Sequence, residues 1–249
     1  MRTTLKIIVT FFTFVINTSC SNENSIMESE ITPPKTDSSL QLPTRPETIN
    51  YLALGDSYTI GQSVCETCRF PEQLKQSLKN SNLQNNFSLE IIAQTGWTTT
   101  NLISAIENKK PDAKFDLVTL LIGVNNQYQG INFSVYEKEF PELVAKAISL
   151  VKGNKAKLIV VSIPDYAYTP FGQSYGNPTI ISTEIDSYNA FAKSYCETNS
   201  ILFINITDIT RQGLSNSNLV ASDGLHPSTD AYTLFVQRLL PKAIAILQN

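Results

Sequence analysis

Five short apolar runs recur along the chain, and each is followed by a stretch with helical spacing. The runs cover 49–54, 88–93, 116–122, 157–163 and 201–205. Two of them, Leu117-Val118-Thr119-Leu120-Leu121-Ile122 and Leu158-Ile159-Val160-Val161, are almost unbroken, as in strands covered by helices on both faces. Helical patterns fill 71–79, 100–107, 135–152, 180–199 and 229–247. Pro71 suits a first helical turn, and Ser228 suits the cap before the last helix. Strand and helix alternating in this way predict a parallel, doubly wound α/β sheet. No internal repeat interrupts the alternation.

Ligands of such sheets bind beyond the carboxyl ends of the strands, so the turns there are where chemistry is sought. The first run ends in Gly55-Asp56-Ser57, the second in Gln94-Thr95-Gly96-Trp97 and the third in Gly123-Val124-Asn125-Asn126. The loop after the fifth reaches Asp223-Gly224-Leu225-His226-Pro227, which holds the one histidine of the chain. A serine hydroxyl becomes nucleophilic when a base takes its proton, an acid orients the base, and donors receive the oxyanion. Histidine is the side chain that exchanges a proton near neutral pH, its unperturbed pKa being about 6.5. His226 is therefore the sole candidate base for Ser57, and Asp223, three residues before it, is the candidate orienter. Gly96 can bring a backbone N–H close to a substrate, and Asn125 supplies an amide on the neighbouring strand end.

These blocks resemble those of the SGNH (GDSL) hydrolases. That family carries a serine in a Gly-Asp-Ser turn, a glycine after the second strand, an asparagine in Gly-x-Asn, and Asp-x-x-His near the C-terminus. Ser57, Gly96, Asn125, Asp223 and His226 match in order, and the resemblance runs from about residue 49 to the end. It implies a three-layer α/β/α sandwich with a five-stranded parallel sheet of the flavodoxin-like kind. It also implies a Ser57–His226–Asp223 triad, oxyanion donors from the Ser57 and Gly96 backbone and the Asn125 side chain, and no metal or organic cofactor. Two positions depart from the pattern. Tyr58 follows the serine where the family has leucine, and Asn126 stands where an acidic residue is common, which leaves Asn125 and Asn126 as rivals for the donor. The implied reaction is hydrolysis of carboxylic esters, with short acyl or acetyl esters, including those on carbohydrate, as the expected substrates. Lysophospholipase, thioesterase and acyltransferase chemistry are the alternatives, as is an inactive surface lipoprotein that binds glycan.

The stretch 164–178 reads as a long loop with Tyr166, Tyr168, Phe171 and Tyr175 among prolines and glycines. Tyr166, Tyr168, Phe171 and Trp97 are the candidates for contact with substrate, with core packing as the alternative for Trp97.

Composition narrows the setting. Apolar residues form 42% of the 249, enough for a sizeable core in the 49–249 domain. A net charge of −3 and the lack of any basic stripe argue against nucleic acid as a partner. The first residues break the pattern. Arg2 and Lys6 flank the start of a short apolar run, 7–16, which suits the core of an export signal and falls short of the ~20 residues a membrane span needs. It leads into Asn17-Thr18-Ser19-Cys20, which resembles a bacterial lipobox: residues 1–19 would be the leader and Cys20 the lipid attachment point. Asn17 replaces the usual branched aliphatic residue, so plain secretion is the alternative to a membrane-anchored lipoprotein of the cell envelope. Residues 20–48, rich in Ser, Thr, Asn, Glu and Pro, read as a flexible linker. Cys65-Glu66-Thr67-Cys68 lacks the second ligand pair a zinc site requires, which leaves a loop disulfide or free thiols. Cys196 reads as a buried apolar residue.

Overall fold

Tyr51, Leu52, Ala53 and Leu54 are all buried, because the strand that carries them, β1 (Thr48–Gly55), lies inside a sheet with helices on both faces. The computed structural model describes residues 47–248 apart from 82 and 84, so the expected leader, Cys20 and the linker up to residue 46 lie outside the described residues. The remaining strands are β2 (Asn86–Ala93), β3 (Leu117–Leu121), β4 (Leu158–Val161) and β5 (Leu202–Ile204). Their order is β2-β1-β3-β4-β5, and every neighbouring pair is parallel. Every residue of β3 and β4 is buried, as their unbroken apolar runs require.

Helices α2 (Phe70–Lys79) and α9 (Thr229–Leu247) pack together on one face of the sheet. Helices α3 (Thr99–Lys109), α5 (Phe133–Leu150) and α7 (Pro178–Thr198) pack as a second layer. The result is the three-layer α/β/α arrangement. Pro71 sits in the first turn of α2, and the Ser228 hydroxyl accepts from the Ala231 N–H at 3.2 Å to cap α9. Among the described residues, no helix is long and apolar enough to cross a membrane.

The sheet order places the switch point between β1 and β3, whose chains leave their carboxyl ends toward opposite layers and open a crevice between them. Short helices begin there: α1 (Ser57–Ile60) after β1 and α4 (Val124–Tyr128) after β3. Gly55 makes the first of these turns possible. A Cβ on it would stand 2.1 Å from Thr59 Oγ1 and 2.4 Å from the Leu121 carbonyl, so any side chain would push α1 off the sheet.

The stretch 164–178 differs from the irregular loop its composition predicts. It folds into a 3-10 turn, Tyr166–Tyr168, and a short helix, α6 (Pro170–Ser174). Asp165 Oδ1 accepts from the Ala167 N–H at 3.0 Å and Thr169 Oγ1 from the Gly172 N–H at 3.0 Å. These side-chain caps, with Pro170 in the first turn, supply order that hydrophobic periodicity does not report.

Candidate active site

Ser57 is the first residue of α1, and Asp56 caps the helix by accepting the Tyr58 N–H at 3.0 Å. The cap fixes the turn that presents Ser57 at the end of β1. Asp56 itself is wholly buried, and burial pushes its carboxyl up to about 7 despite hydrogen bonds from the Tyr58 backbone and the Asn125 amide. Among the described residues, the backbone N–H groups of Ser57 and Gly96 have no protein partner. Gly96 has φ +84, a left-handed conformation that glycine takes without strain, and the space where a Cβ would stand is open. Its carbonyl is held by Gln129 Nε2 at 2.9 Å.

The two asparagines after β3 separate by direction. Asn125 Nδ2 donates to the Trp97 carbonyl at 3.0 Å and reaches Asp56 Oδ2 at 3.5 Å, with the residue on the wall of the crevice. Asn126 is wholly buried and turns away. It accepts from the Thr99 N–H at 3.0 Å and donates to Thr99 Oγ1 at 2.7 Å, fastening the β3 turn to the start of α3. An uncharged amide does both jobs there, where a carboxylate could only accept.

His226 is fixed by its own turn. The Ala221 N–H donates to the His226 carbonyl at 2.7 Å, and Asp223 Oδ1 accepts the Leu225 and His226 N–H groups at 2.9 and 3.0 Å. Asp223 Oδ2 meets His226 Nδ1 at 2.6 Å and accepts the Ser63 hydroxyl at 2.6 Å. Burial acts to raise the Asp223 carboxyl, but Ser63, the imidazole and the two backbone donors outweigh it and hold the group at about 2. Tyr58 packs against the imidazole, ring centroids 5.2 Å apart, so the residue that replaces leucine supports His226 from the side. Sequence reasoning missed Ser63. It sits at φ +67, two residues before the Cys65–Cys68 disulfide, and no motif marks it.

Ser57, Gly96, Asn125 and His226 line one cavity of about 240 Å³, with Asp223 behind His226. Tyr166 and Phe171 line it too, as does Tyr128, to which no motif or spacing points. Tyr128 stacks on Tyr175 at 4.9 Å and meets Tyr166 edge-on at 6.0 Å, so α4 and the 164–178 segment share one aromatic wall. Two candidates stand elsewhere. Trp97 packs half-buried against the core and contributes only its carbonyl, to Asn125; Tyr168 lies 5.8 Å beneath the Arg211 guanidinium. Among the described residues no group of three or more His, Cys, Asp or Glu side chains is placed to hold a metal ion.

The wall is anchored from below. Asp165, wholly buried, accepts from Arg211 Nε at 2.9 Å and from the Ser182 hydroxyl at 2.6 Å, while Arg211 also reaches Asp186 at 2.7 Å. Arg211→Ala leaves the Asp165 charge without its cation. With the arginine partly exposed, we expect a loss of about 2 kcal/mol in urea unfolding and a raised KM for esters. Unchanged stability and KM would show that the pair does not hold the wall.

The sequence profile of the GDSL-like lipase/acylhydrolase family matches residues 53–234, which span Ser57 through the His226 turn. The chain belongs to that family. Solved structures carry the same fold at low identity. A lipolytic G-D-S-L family protein from Veillonella parvula has a TM-score of 0.58 at 19% identity, over 81% of this chain and 99% of its own. An esterase from Pseudoalteromonas sp. scores 0.56 at 18%, over 80% and 99%. An acetylxylan esterase from Geobacillus stearothermophilus scores 0.55 at 19%, over 80% and 95%. No curated protein matches the chain by sequence. Family membership makes the chain a hydrolase of the esterase and lipase kind.

Proposed function

We propose that this chain is a serine esterase that removes short acyl groups, acetyl above all, through a Ser57–His226–Asp223 triad. The observation that carries the reading is the convergence of Ser57, Gly96, Asn125 and His226 on one cavity, with His226 Nδ1 bound to Asp223 at 2.6 Å. That bond leaves Nε2 as the free ring nitrogen. It takes the Ser57 proton as Oγ attacks the ester carbonyl, and Asp223, ionised throughout the working range, stabilises the imidazolium. The oxyanion is received by the Ser57 and Gly96 N–H groups, for which no competing partner stands among the described residues. Asn125 keeps one amide hydrogen on Trp97 and exchanges its weak 3.5 Å contact with Asp56 for the oxyanion. The proton then passes to the leaving alcohol, and water, activated by the same imidazole, releases the acid from Ser57.

The cavity volume favours short acyl groups, since 240 Å³ is below the roughly 300–1,000 Å³ of ordinary ligand pockets. The leader and Cys20 read from the sequence would place the enzyme outside the cytoplasm, tethered by a lipid. A fluorophosphonate probe is expected to label the wild type and not Ser57→Ala, and p-nitrophenyl acetate to be cleaved faster than the palmitate. Labelling of both proteins would remove Ser57 from the reaction, and a preference for palmitate would overturn the short-acyl reading.

A further inference from the structure

Gly96 presents its N–H to the cavity from a peptide that packing does not restrain. Among the described residues, no atom would stand within 4 Å of a Cβ built on it. Glycine is also the residue with the most backbone freedom to lose on ordering. Yet a donor stabilises an oxyanion only if it is aimed before the charge forms, roughly 2.7–3.1 Å from where the oxygen will lie. The Gly96 peptide must therefore be fixed by hydrogen bonds.

Those bonds come from α4 and its end. The peptide that joins Gly96 to Trp97 is held at both ends: Gln129 Nε2 donates to the Gly96 carbonyl at 2.9 Å, and the Trp97 N–H donates to the Gln94 carbonyl at 3.2 Å. The next carbonyl, that of Trp97, accepts from Asn125 Nδ2 at 3.0 Å. Asn125 lies on α4 and Gln129 caps its carboxyl end, four residues on, so the two share one face. The Gln129 N–H donates to the Asn125 carbonyl at 3.0 Å and locks that spacing. On the other side of Gly96, the Thr95 hydroxyl donates to Gln62 Oε1 at 2.8 Å. With the peptide after Gly96 fixed and Thr95 tied before it, the Gly96 N–H has little rotation left.

We infer that Gln129 is a positioning residue of the oxyanion site: its side-chain amide, one turn beyond Asn125, holds the Gly96 peptide so that the Gly96 N–H faces the ester on Ser57. The inference rests on the esterase reading above. Gln129 touches no reacting atom and acts through Gly96 alone. Two of the three oxyanion donors, the Gly96 N–H and the Asn125 side chain, then take their placement from one short helix.

The test is steady-state cleavage of p-nitrophenyl acetate by two variants. Gln129→Met keeps the length of the side chain and loses the donor. It is expected to lower kcat about tenfold with KM within about twofold of wild type, because a misaimed donor weakens the transition state and leaves substrate binding alone. That loss is smaller than the roughly 10²–10³ that follows deletion of an oxyanion donor outright. Gln129 is exposed, so the melting temperature is expected to stay within about 2 °C of wild type. Gln129→Lys can still donate to the Gly96 carbonyl and is expected to keep kcat within about threefold of wild type. The assignment is overturned by a Gln129→Met kcat within about twofold of wild type, by equal losses in the two variants, or by a loss carried in KM. Equal cleavage of p-nitrophenyl acetate by wild type and Ser57→Ala would instead strike down the esterase reading itself.

Discussion

His226→Ala is expected to lower kcat for p-nitrophenyl acetate by about six orders of magnitude, the usual cost of deleting the base of such a triad. The chain holds no second histidine to stand in for it. The turn itself should survive, because the bonds that shape it run through the backbone: Ala221 N–H to the His226 carbonyl, and the Leu225 and His226 N–H groups to Asp223. Added imidazole is expected to restore part of the rate, since it fits the space left between Tyr58 and the cavity. Retention of a tenth of the wild-type kcat, or unfolding without rescue, would sink the role assigned to His226. Ser63→Ala provides the graded control. It takes one of several donors from Asp223 and leaves the imidazole bond in place, so a loss of about threefold to tenfold is expected from the same assay.

The parts of this fold that sequence disclosed are those where the pattern is long and governed by one force. Burial on both faces made β3 and β4 unbroken apolar runs, and wide amphipathic stripes marked α2, α3, α5, α7 and α9. Short helices escaped because their stability is local. α1, α4 and α6 span four or five residues each, too few for a period, and stand on a cap or on the turn that delivers them. The candidate site divides along the same line. Ser57, Gly96, Asn125, Asp223 and His226 were legible because chemistry restricts which residue types can serve. Tyr128 was not, since any aromatic residue on α4 reads as core until the 164–178 segment is seen against it. Ser63 acts only through a partner 160 residues away, and local spacing holds no trace of such a pair. Trp97 and Tyr168 show the reverse error: aromatic character near a motif does not fix which way a ring points.

The second large effect concerns stability and comes from Asp56. Its carboxyl is wholly buried and held at about 7 in the folded chain, against 3.8 for the exposed group. The folded state therefore keeps a proton that the unfolded state gives up, and stability falls as pH rises from about 4 to about 7. Above that window the difference amounts to about 4 kcal/mol against the fold. Asp223 has the opposite sign. Held at about 2, it stabilises the fold above pH 4 and loses that contribution only as pH drops toward 2, outside the window in which Asp56 acts. Asp56→Asn isolates the effect. The amide oxygen can still accept the Tyr58 N–H and keep the α1 cap, and the change gives up only the 3.5 Å contact with Asn125. Urea unfolding of both proteins at pH 5 and pH 8 cancels every other titrating group. The advantage of Asp56→Asn over wild type is expected to grow by roughly 2–3 kcal/mol between those values. An advantage that does not change with pH would show that Asp56 is ionised in the folded chain at pH 5. The Gly-Asp-Ser turn would then tolerate a buried charge beside the oxyanion site, where negative charge opposes the transition state.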